Sequence, residues 1–577
     1  MKEAEMAKEK EAPRKLSRKD FVKGAAAVAS VGALASCAPA ATPTTAPEAA
    51  PTCPPAPTCP PAGECPPPVW LPEKWDDEAD IVIVGYGGAG ASAAIAGTDA
   101  GAECLIIEVA PEKFIGGNTI CSGGGWTHAY DKDKYFVYLQ KLCRGATPDQ
   151  YLADWAEVET QIIDYMDYLG IEYTLRIHDY GHFFVTSRTD TGLQPLMGVS
   201  EDSGIDQYSA LDADGNITRG AGLFKLFADR VAERDVRVMY ETRGMGLIQD
   251  GETKEILGVR AMDNTGQDIY LKARKGVMLA CGGYENSPSL IDSHCVPGVR
   301  VHPAGTPYAL GDGVYMAQAV GADIFHMAGI EWRGLSVQPI EQEDSTYTIN
   351  VQKLGSGVVV NKYGKRFYGE HNKLGHTRTY AATEFDGYPD DPTALSDYKG
   401  VPAFIVFDEA KRAAGTLIPK GYEYLWTMEL YAWSEDNMQE VDSGLIKRAD
   451  TIKELAEISG IDPAALEETV NKWNGYAVAG EDLEFGRPAD TMAPIEVPPY
   501  YALEVKPQFI NTQGGPKHSN IDGRVLDRDS NPIPRLYAAG ECGSVYSLMY
   551  HGSGNVAEAL IVGKIAAENA AADEPWA

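Results

Sequence analysis

The feature that most constrains this chain is a strand that runs into a glycine loop and then into a helix. Asp80-Ile81-Val82-Ile83-Val84 is a short apolar, β-branched run of the kind buried in a parallel sheet. It leads straight into Gly85-Tyr86-Gly87-Gly88-Ala89-Gly90 and an alanine-rich helix predicted over 91–100. Gly85 permits the tight turn, Gly87 lets the backbone approach a pyrophosphate, and Gly90 lets the helix pack on the strand. The helix N-terminus then offers unpaired N–H groups to phosphate oxygens, and Gly88 and Ala89 of the loop count among the cofactor-binding residues. A second strand, 104–107, ends at Glu108, twenty-three residues after Gly85, where an acid accepts from both ribose hydroxyls. The expectation is a dinucleotide site in an α/β fold.

Further segments narrow the cofactor. Gly116-Gly117-Asn118-Thr119 and Ser122-Gly123-Gly124-Gly125-Trp126 follow Glu108. Later come Ala280-Cys281-Gly282-Gly283-Tyr284-Glu285, Gly311-Asp312-Gly313, Leu536-Tyr537-Ala538-Ala539-Gly540-Glu541 and Gly552-Ser553-Gly554-Asn555. This ordered set resembles the flavoprotein subunits of fumarate reductases and their relatives, among them urocanate reductases and 3-ketosteroid Δ1-dehydrogenases. The resemblance runs from about Asp77 to Ala572. It implies FAD, held in a Rossmann-like domain of the two-dinucleotide-binding type with an inserted α+β substrate or cap domain. By the same resemblance, Glu541 and the amides of Gly554, Asn555 and Val556 hold the flavin's ribityl chain and ring. Gly116, Gly117, Asn118, Thr119, Gly123, Gly124, Gly282, Gly283, Asp312 and Gly540 belong to the same motifs. Members with covalent flavin carry a histidine close to the Gly-Gly-x-Thr segment. Asn118, Thr119 and Ile120 stand here, so tight non-covalent FAD is expected.

At 577 residues the chain exceeds one ordinary core, and its organisation reads in five stretches. Residues 1–37 read as an address: Ser17-Arg18-Lys19-Asp20-Phe21 precedes a short apolar run, resembling a twin-arginine export signal with lysine in the second place. Leu34-Ala35-Ser36-Cys37 resembles a lipobox, which makes Cys37 a lipid attachment point. Residues 38–76 are a proline-rich, stiff spacer containing Cys53, Cys59 and Cys65. Residues 77–289 are the first part of the FAD-binding domain, 290–494 the cap, and 495–577 the returning part of the FAD domain. These stretches describe an extracytoplasmic protein, tethered to a bacterial membrane through lipid at Cys37.

Two segments are the places for substrate chemistry. In the first, around Glu370, the fumarate reductase pattern places a proton-donating arginine four residues after the glutamate, and the ketosteroid dehydrogenases a tyrosine. Leu374 stands there and can do neither. Lys373, His376, Arg378 and Tyr380 are the neighbours able to replace it, with Arg378 preferred: a guanidinium orients a substrate and relays a proton. Arg366 reads as an anchor of the preceding turn. In the second segment, His551 occupies the place of an arginine that clamps a substrate carboxylate, and Asn511 the place of a histidine. Two carboxylate ligands are thus missing, which argues against a small dicarboxylate. Tyr550, four residues before Gly554, matches the tyrosine–glycine pair with which ketosteroid dehydrogenases polarise a ketone. His128 and Tyr130, after Trp126, are further candidates for the pocket wall. Cys121 and Cys542 lie beside flavin motifs with no second cysteine close in sequence, and read as small packing residues.

The leading reaction is reduction of an activated C=C bond, an enoate or enone, by hydride from flavin N5, with the protein serving as an electron sink. The same chemistry run backwards, desaturation of a cyclic ketone such as a 3-ketosteroid, is the alternative, and a flavin-binding surface protein without catalysis is a remote third. No haem or zinc cysteine pattern occurs, so no metal is expected and electrons come from a separate cytochrome or flavoprotein. A net charge of -33 repels phosphate backbones, which argues against a nucleic-acid partner.

Overall fold

A computed structural model of the chain describes residues 71–180, 203–295, 302–339, 347–349, 354–370, 385–386, 397–398, 400–418, 431–547 and 550–576. All of these belong to one compact unit, Pro66–Ala577. Cys37, the signal and nearly all of the spacer lie outside the described residues.

Strand Asp77–Val84 lies inside an eight-stranded sheet among the described residues. It pairs in parallel with Cys104–Ile107 on one side and with Asp268–Leu279 on the other. The order continues to Arg237–Met239 at one edge. On the other side Pro532–Ala538 pairs in parallel with the end of Asp268–Leu279, Leu536 facing Val277 and Ala538 facing Leu279, and Arg524–Leu526 forms the edge, antiparallel to it. An antiparallel ribbon, Arg243–Gln249 with Ile256–Met262, joins the start of the same long strand. Both faces of the inner parallel part are covered, which is why residues 81–84, 105–107 and 277–279 are apolar. Ile81 and Ile83 face the helices, while Val82 and Val84 face the ribbon and helix Asp312–Ala319, as the two-residue alternation of a strand requires.

Helix Gly88–Asp99 and the long helix Gly554–Ala572 pack on the first face. They approach closely because their contact is built from small residues. A Cβ on Gly563 would lie 2.6 Å from the Ala89 carbonyl oxygen, and Ser92 donates its hydroxyl across the interface to the Leu560 carbonyl at 2.6 Å. The first of them begins three residues earlier than the sequence predicts, at Gly88, and the second begins at Gly554. This close packing outweighs the low helix propensity of glycine.

The second sheet, seven-stranded among the described residues, is organised around strand Tyr500–Thr512. The first half of that strand pairs with Ala403–Asp408 and Ile446–Ala449, the second half with Ile330–Val337 and His302–Pro303. By its hydrogen bonding this strand belongs to the second sheet, beyond the boundary expected at 494. Its end, Thr512, delivers the chain back to the first sheet. A small third sheet, Gly125–Ala129, Ile205–Ala210 and Tyr173–Ile177, stands beside the start of helix Gly554–Ala572. The architecture is mixed α/β: a nucleotide-binding half with a second sheet inserted into it.

Candidate active site

A cleft opens at the carboxyl ends of the parallel strands, where an open α/β sheet places its ligand. Its first wall is the Gly85–Gly90 loop. Gly85 has φ +106°, and a Cβ there would lie 2.5 Å from the Ala280 oxygen, so only glycine fits the crossing. A Cβ on Gly90 would lie 2.0 Å from the Gly85 oxygen. Helix Gly88–Asp99 starts at Gly87 with no side-chain cap, which leaves its first N–H groups for a ligand. Thr119 takes one of them, accepting from Gly88 N at 2.9 Å. Glu108 accepts from Tyr86 N at 2.6 Å and Ala110 N at 2.8 Å, fixing its carboxylate at the cleft. Burial raises its pKa against those hydrogen bonds.

The far end of the cleft is a polar knot centred on Asn118. The Asn118 amide donates to both Glu285 and Glu541, and its oxygen accepts from Thr306 N at 2.8 Å. Asn511 donates to the other oxygen of Glu541 at 2.6 Å. Burial pushes both carboxyls up, and for Glu285 the charge of Glu541 adds to the effect. Asn555 donates to Gln513 at 3.3 Å. Its Oδ1 is buried with no partner among the described residues.

Most of the expected cofactor residues line this cleft: Gly85, Gly87, Gly88, Ala89, Glu108, Gly117, Asn118, Thr119, Gly123, Gly282, Asp312, Gly540, Glu541, Asn555 and Val556. Gly90, Gly116, Gly124, Gly283 and Gly554 stand behind it, where a Cβ on each would lie within 3.0 Å of other protein atoms. They shape the wall rather than touch its contents. Asp312 is clamped by Arg243 in a two-bond fork, at 2.8 and 2.6 Å.

The expected catalytic residues separate. Arg378 and Tyr380 lie outside the described residues, as do Lys373 and His376. Tyr550 lines the cleft. His551 does not: it is fully buried, its ring near those of Tyr135, Tyr138, Tyr180 and Tyr546. Its Nδ1 meets the Tyr138 hydroxyl at 3.4 Å, its Nε2 has no partner among the described residues, and burial lowers its pKa to about 3. A neutral ring in that cage is not a carboxylate clamp. The Gly554 amide donates to the His551 carbonyl at 3.0 Å. His128 and Tyr130 are absent from the cleft wall; Tyr208 packs against the first and His178 stacks on the second.

The wall contributed by this part of the chain is instead Tyr180 and Gln207, with Ser553 between them. Gln207 donates to Ser553 Oγ at 2.6 Å, and the Tyr180 hydroxyl bonds the same residue. Ser553 holds φ +68°, a left-handed conformation at a helix start. Glu331, on strand Ile330–Val337, completes this end. Neither Tyr180, Gln207 nor Glu331 carries a sequence signal: Gln207 and Glu331 reach the cleft only through sheet pairing, and Tyr180 through its amide bond to the Ile205 carbonyl.

A glycine cradle, helix starts free of side-chain caps, a ribose acid and an orphaned amide oxygen fit a dinucleotide whose second half carries a polar ring. The model of the FAD binding domain matches residues 80–556. The chain belongs to the FAD binding domain family. It is a flavoprotein oxidoreductase with FAD as its cofactor. Among relatives, it is 28% identical to the digoxin reductase of Eggerthella lenta over 98% of both chains. It is 27% identical to a probable fumarate reductase of Shewanella frigidimarina, over 86% of this chain and 75% of the other. Its fold is similar to that of the 3-ketosteroid Δ1-dehydrogenase of Sterolibacterium denitrificans, with a TM-score of 0.65, 22% identity, and coverage of 86% of this chain and 100% of the other.

Proposed function

We propose that this flavoprotein reduces an activated C=C bond conjugated to the carbonyl of an uncharged substrate. One observation carries the choice of substrate. The described residues lining the cleft include Glu108, Asp312, Glu331 and Glu541, but no arginine, lysine or histidine. A dicarboxylate would find no cation among the described residues of the wall and would face Glu331 and Glu541. Asn511, in the place of an expected histidine, spends its amide on Glu541. A neutral carbonyl needs only a hydrogen-bond donor, and Tyr550 supplies a hydroxyl on the cleft wall. Bound FAD supplies the hydride. Tyr550 would polarise the carbonyl so that the alkene carbon accepts it, and Tyr180, Gln207 and Ser553 would shape the pocket around the ring. The two relatives, both named as reductases, support this direction.

Desaturation of a cyclic ketone is the second reading, favoured by Tyr550 standing in the cleft four residues before Gly554. The engagement of the Gly554 amide by His551 weighs against it, because half of the polarising pair is already bonded. The electron donor would be a separate cytochrome or flavoprotein. The site of action would be extracytoplasmic, by the export-like segment before Cys37 and the proline-rich spacer after it.

The test is stopped-flow reoxidation of the anaerobically reduced, full-chain holoprotein by neutral enones and unsaturated lactones, by enoates including fumarate, and by steroid dienones. Reoxidation by the neutral acceptors at least about tenfold faster than by enoates is expected, the factor set by one unpaired charge in a pocket. Fast reoxidation by fumarate would overturn the reading, and reoxidation by steroid dienones alone would move it to the ketosteroid reaction.

A further inference from the structure

Cys281 and Cys542 are far apart in sequence, yet they meet at the ends of two paired strands. Cys281 follows Asp268–Leu279, and Cys542 follows Pro532–Ala538, parallel neighbours in the first sheet. Gly313, at the start of helix Asp312–Ala319, lies against both. A Cβ there would be 2.5 Å from Cys542 Sγ and 2.9 Å from Cys281 Sγ, so the sulfurs lie no farther apart than those distances combined. The neighbouring Cys542 thiol, together with burial, holds Cys281 well above the ordinary thiol range. Cys542 is buried, whereas Cys281 is partly exposed and lines the cleft.

We infer that Cys281 and Cys542 are a reversible dithiol–disulfide couple, a redox staple between the two halves of the nucleotide domain. The oxidant is a small-molecule disulfide such as oxidised glutathione. The Cys281 thiolate, reached from the cleft whenever FAD has left it, attacks one of its sulfurs and releases one small thiol. Cys542 then attacks the mixed disulfide at Cys281 and releases the second. One external S–S bond breaks and one internal S–S bond forms. Two electrons pass from the cysteines to the external disulfide, and the two thiol protons leave on the released thiols. Because the thiolate is the nucleophile, a high Cys281 pKa makes the exchange slow without changing its end point. The cross-link would close the chain from residue 281 to residue 542, a loop that holds all seven described strands of the second sheet. Loops of that length are the ones a disulfide constrains most in the unfolded chain.

The experiment equilibrates the full-chain holoprotein in a series of oxidised-to-reduced glutathione ratios. Remaining thiols are then blocked in denaturant, and the cysteine peptides are mapped by mass spectrometry. A peptide joining Cys281 to Cys542, lighter by two hydrogens, is expected on the oxidising side and lost on the reducing side. The thermal midpoint of the wild type should rise on oxidation, with no such rise in Cys542→Ser. The wild-type map decides the matter even if that variant folds poorly. Both cysteines blocked at every ratio would overturn the inference, as would Cys281 joined only to glutathione or to another cysteine.

Discussion

Asn118 donates to Glu541 at 2.7 Å with one hydrogen of its amide and to Glu285 with the other. A single neutral side chain therefore holds two buried carboxyls apart at the edge of the flavin cleft. Its oxygen is fixed by Thr306 N, so the amide cannot turn over without leaving a backbone donor unpaired.

Replacing Asn118 by Asp removes both donors and adds a third carboxylate to the group. Each lost hydrogen bond leaves a buried carboxyl oxygen unsatisfied at a cost of about 1–3 kcal/mol, so FAD affinity should fall about ten- to a hundredfold. The ratio of flavin to protein absorbance after gel filtration measures it, with circular dichroism to show an intact fold. Full FAD retention would mean that Glu541 is held by Asn511 alone.

Gly90→Ala tests the crossing of helix and strand. The added methyl would lie 2.0 Å from the Gly85 oxygen, which is backbone and cannot step aside. The expected cost is about 1–3 kcal/mol or more, with loss of FAD. Chemical denaturation and flavin content report the two effects separately.

Arg366 is a buried cation with forked bonds to both Glu370 and Asp482, the shortest at 2.6 and 2.8 Å. Its guanidinium stacks near Trp473 and Phe485, 4.9 and 5.0 Å from their ring centres. Arg366→Leu would leave Glu370 with Arg487 at 3.8 Å and Asp482 without an ion pair among the described residues. Breaking one side of a buried pair costs about 3–5 kcal/mol, so the urea midpoint should drop sharply. Arg366→Lys should recover part of that loss, since it restores the charge without the fork.

Tyr550→Phe keeps the ring on the cleft wall and removes only the hydroxyl. If that hydroxyl polarises the substrate carbonyl, kcat should fall about a hundredfold while FAD content is unchanged. A variant with wild-type kcat would assign Tyr550 to packing.

The unit from Gly85 to Glu108 is legible in the sequence because its turn, helix start and ribose acid are set by local chemistry within one strand–helix–strand unit. Strand 104–107 agrees with the structure to the residue for the same reason. The cleft's other wall is not legible, because Gln207 and Glu331 reach it only through the pairing of Gly125–Ala129 with Ile205–Ala210 and of Ile330–Val337 with Tyr500–Thr512, and Tyr180 through its amide bond to the Ile205 carbonyl beyond strand Tyr173–Ile177. The meeting of Cys281 with Cys542 is hidden likewise, since it depends on which strands become neighbours. His551 shows a different limit. A motif position fixes the backbone, but the four tyrosines around it decide which way the ring turns.

Glu159 makes the stability of the fold depend on pH in a direction opposite to the usual surface carboxylate. It is fully buried, accepts from Thr127, and burial raises its pKa from 4.5 to about 8 against its hydrogen bonds. In the unfolded chain it ionises near 4.5, so between about 4.5 and about 8 the folded state binds a proton that the unfolded state has lost. Rising pH therefore favours unfolding across that window, by up to about 1.4 kcal/mol per unit for this group, and the effect levels off above it. Glu558, bonded to Ser544 at 2.6 Å and to Val545 N at 2.7 Å and raised by burial to about 8, adds a term of the same sign. Glu159→Gln keeps the shape and abolishes the titration. Urea unfolding at pH 5, 6, 7 and 8 should show the variant gaining on the wild type at each step, whatever their difference at pH 5. Two parallel curves would mean that Glu159 ionises in the fold as readily as in the unfolded chain, and that the Thr127 hydrogen bond and its surroundings offset its burial.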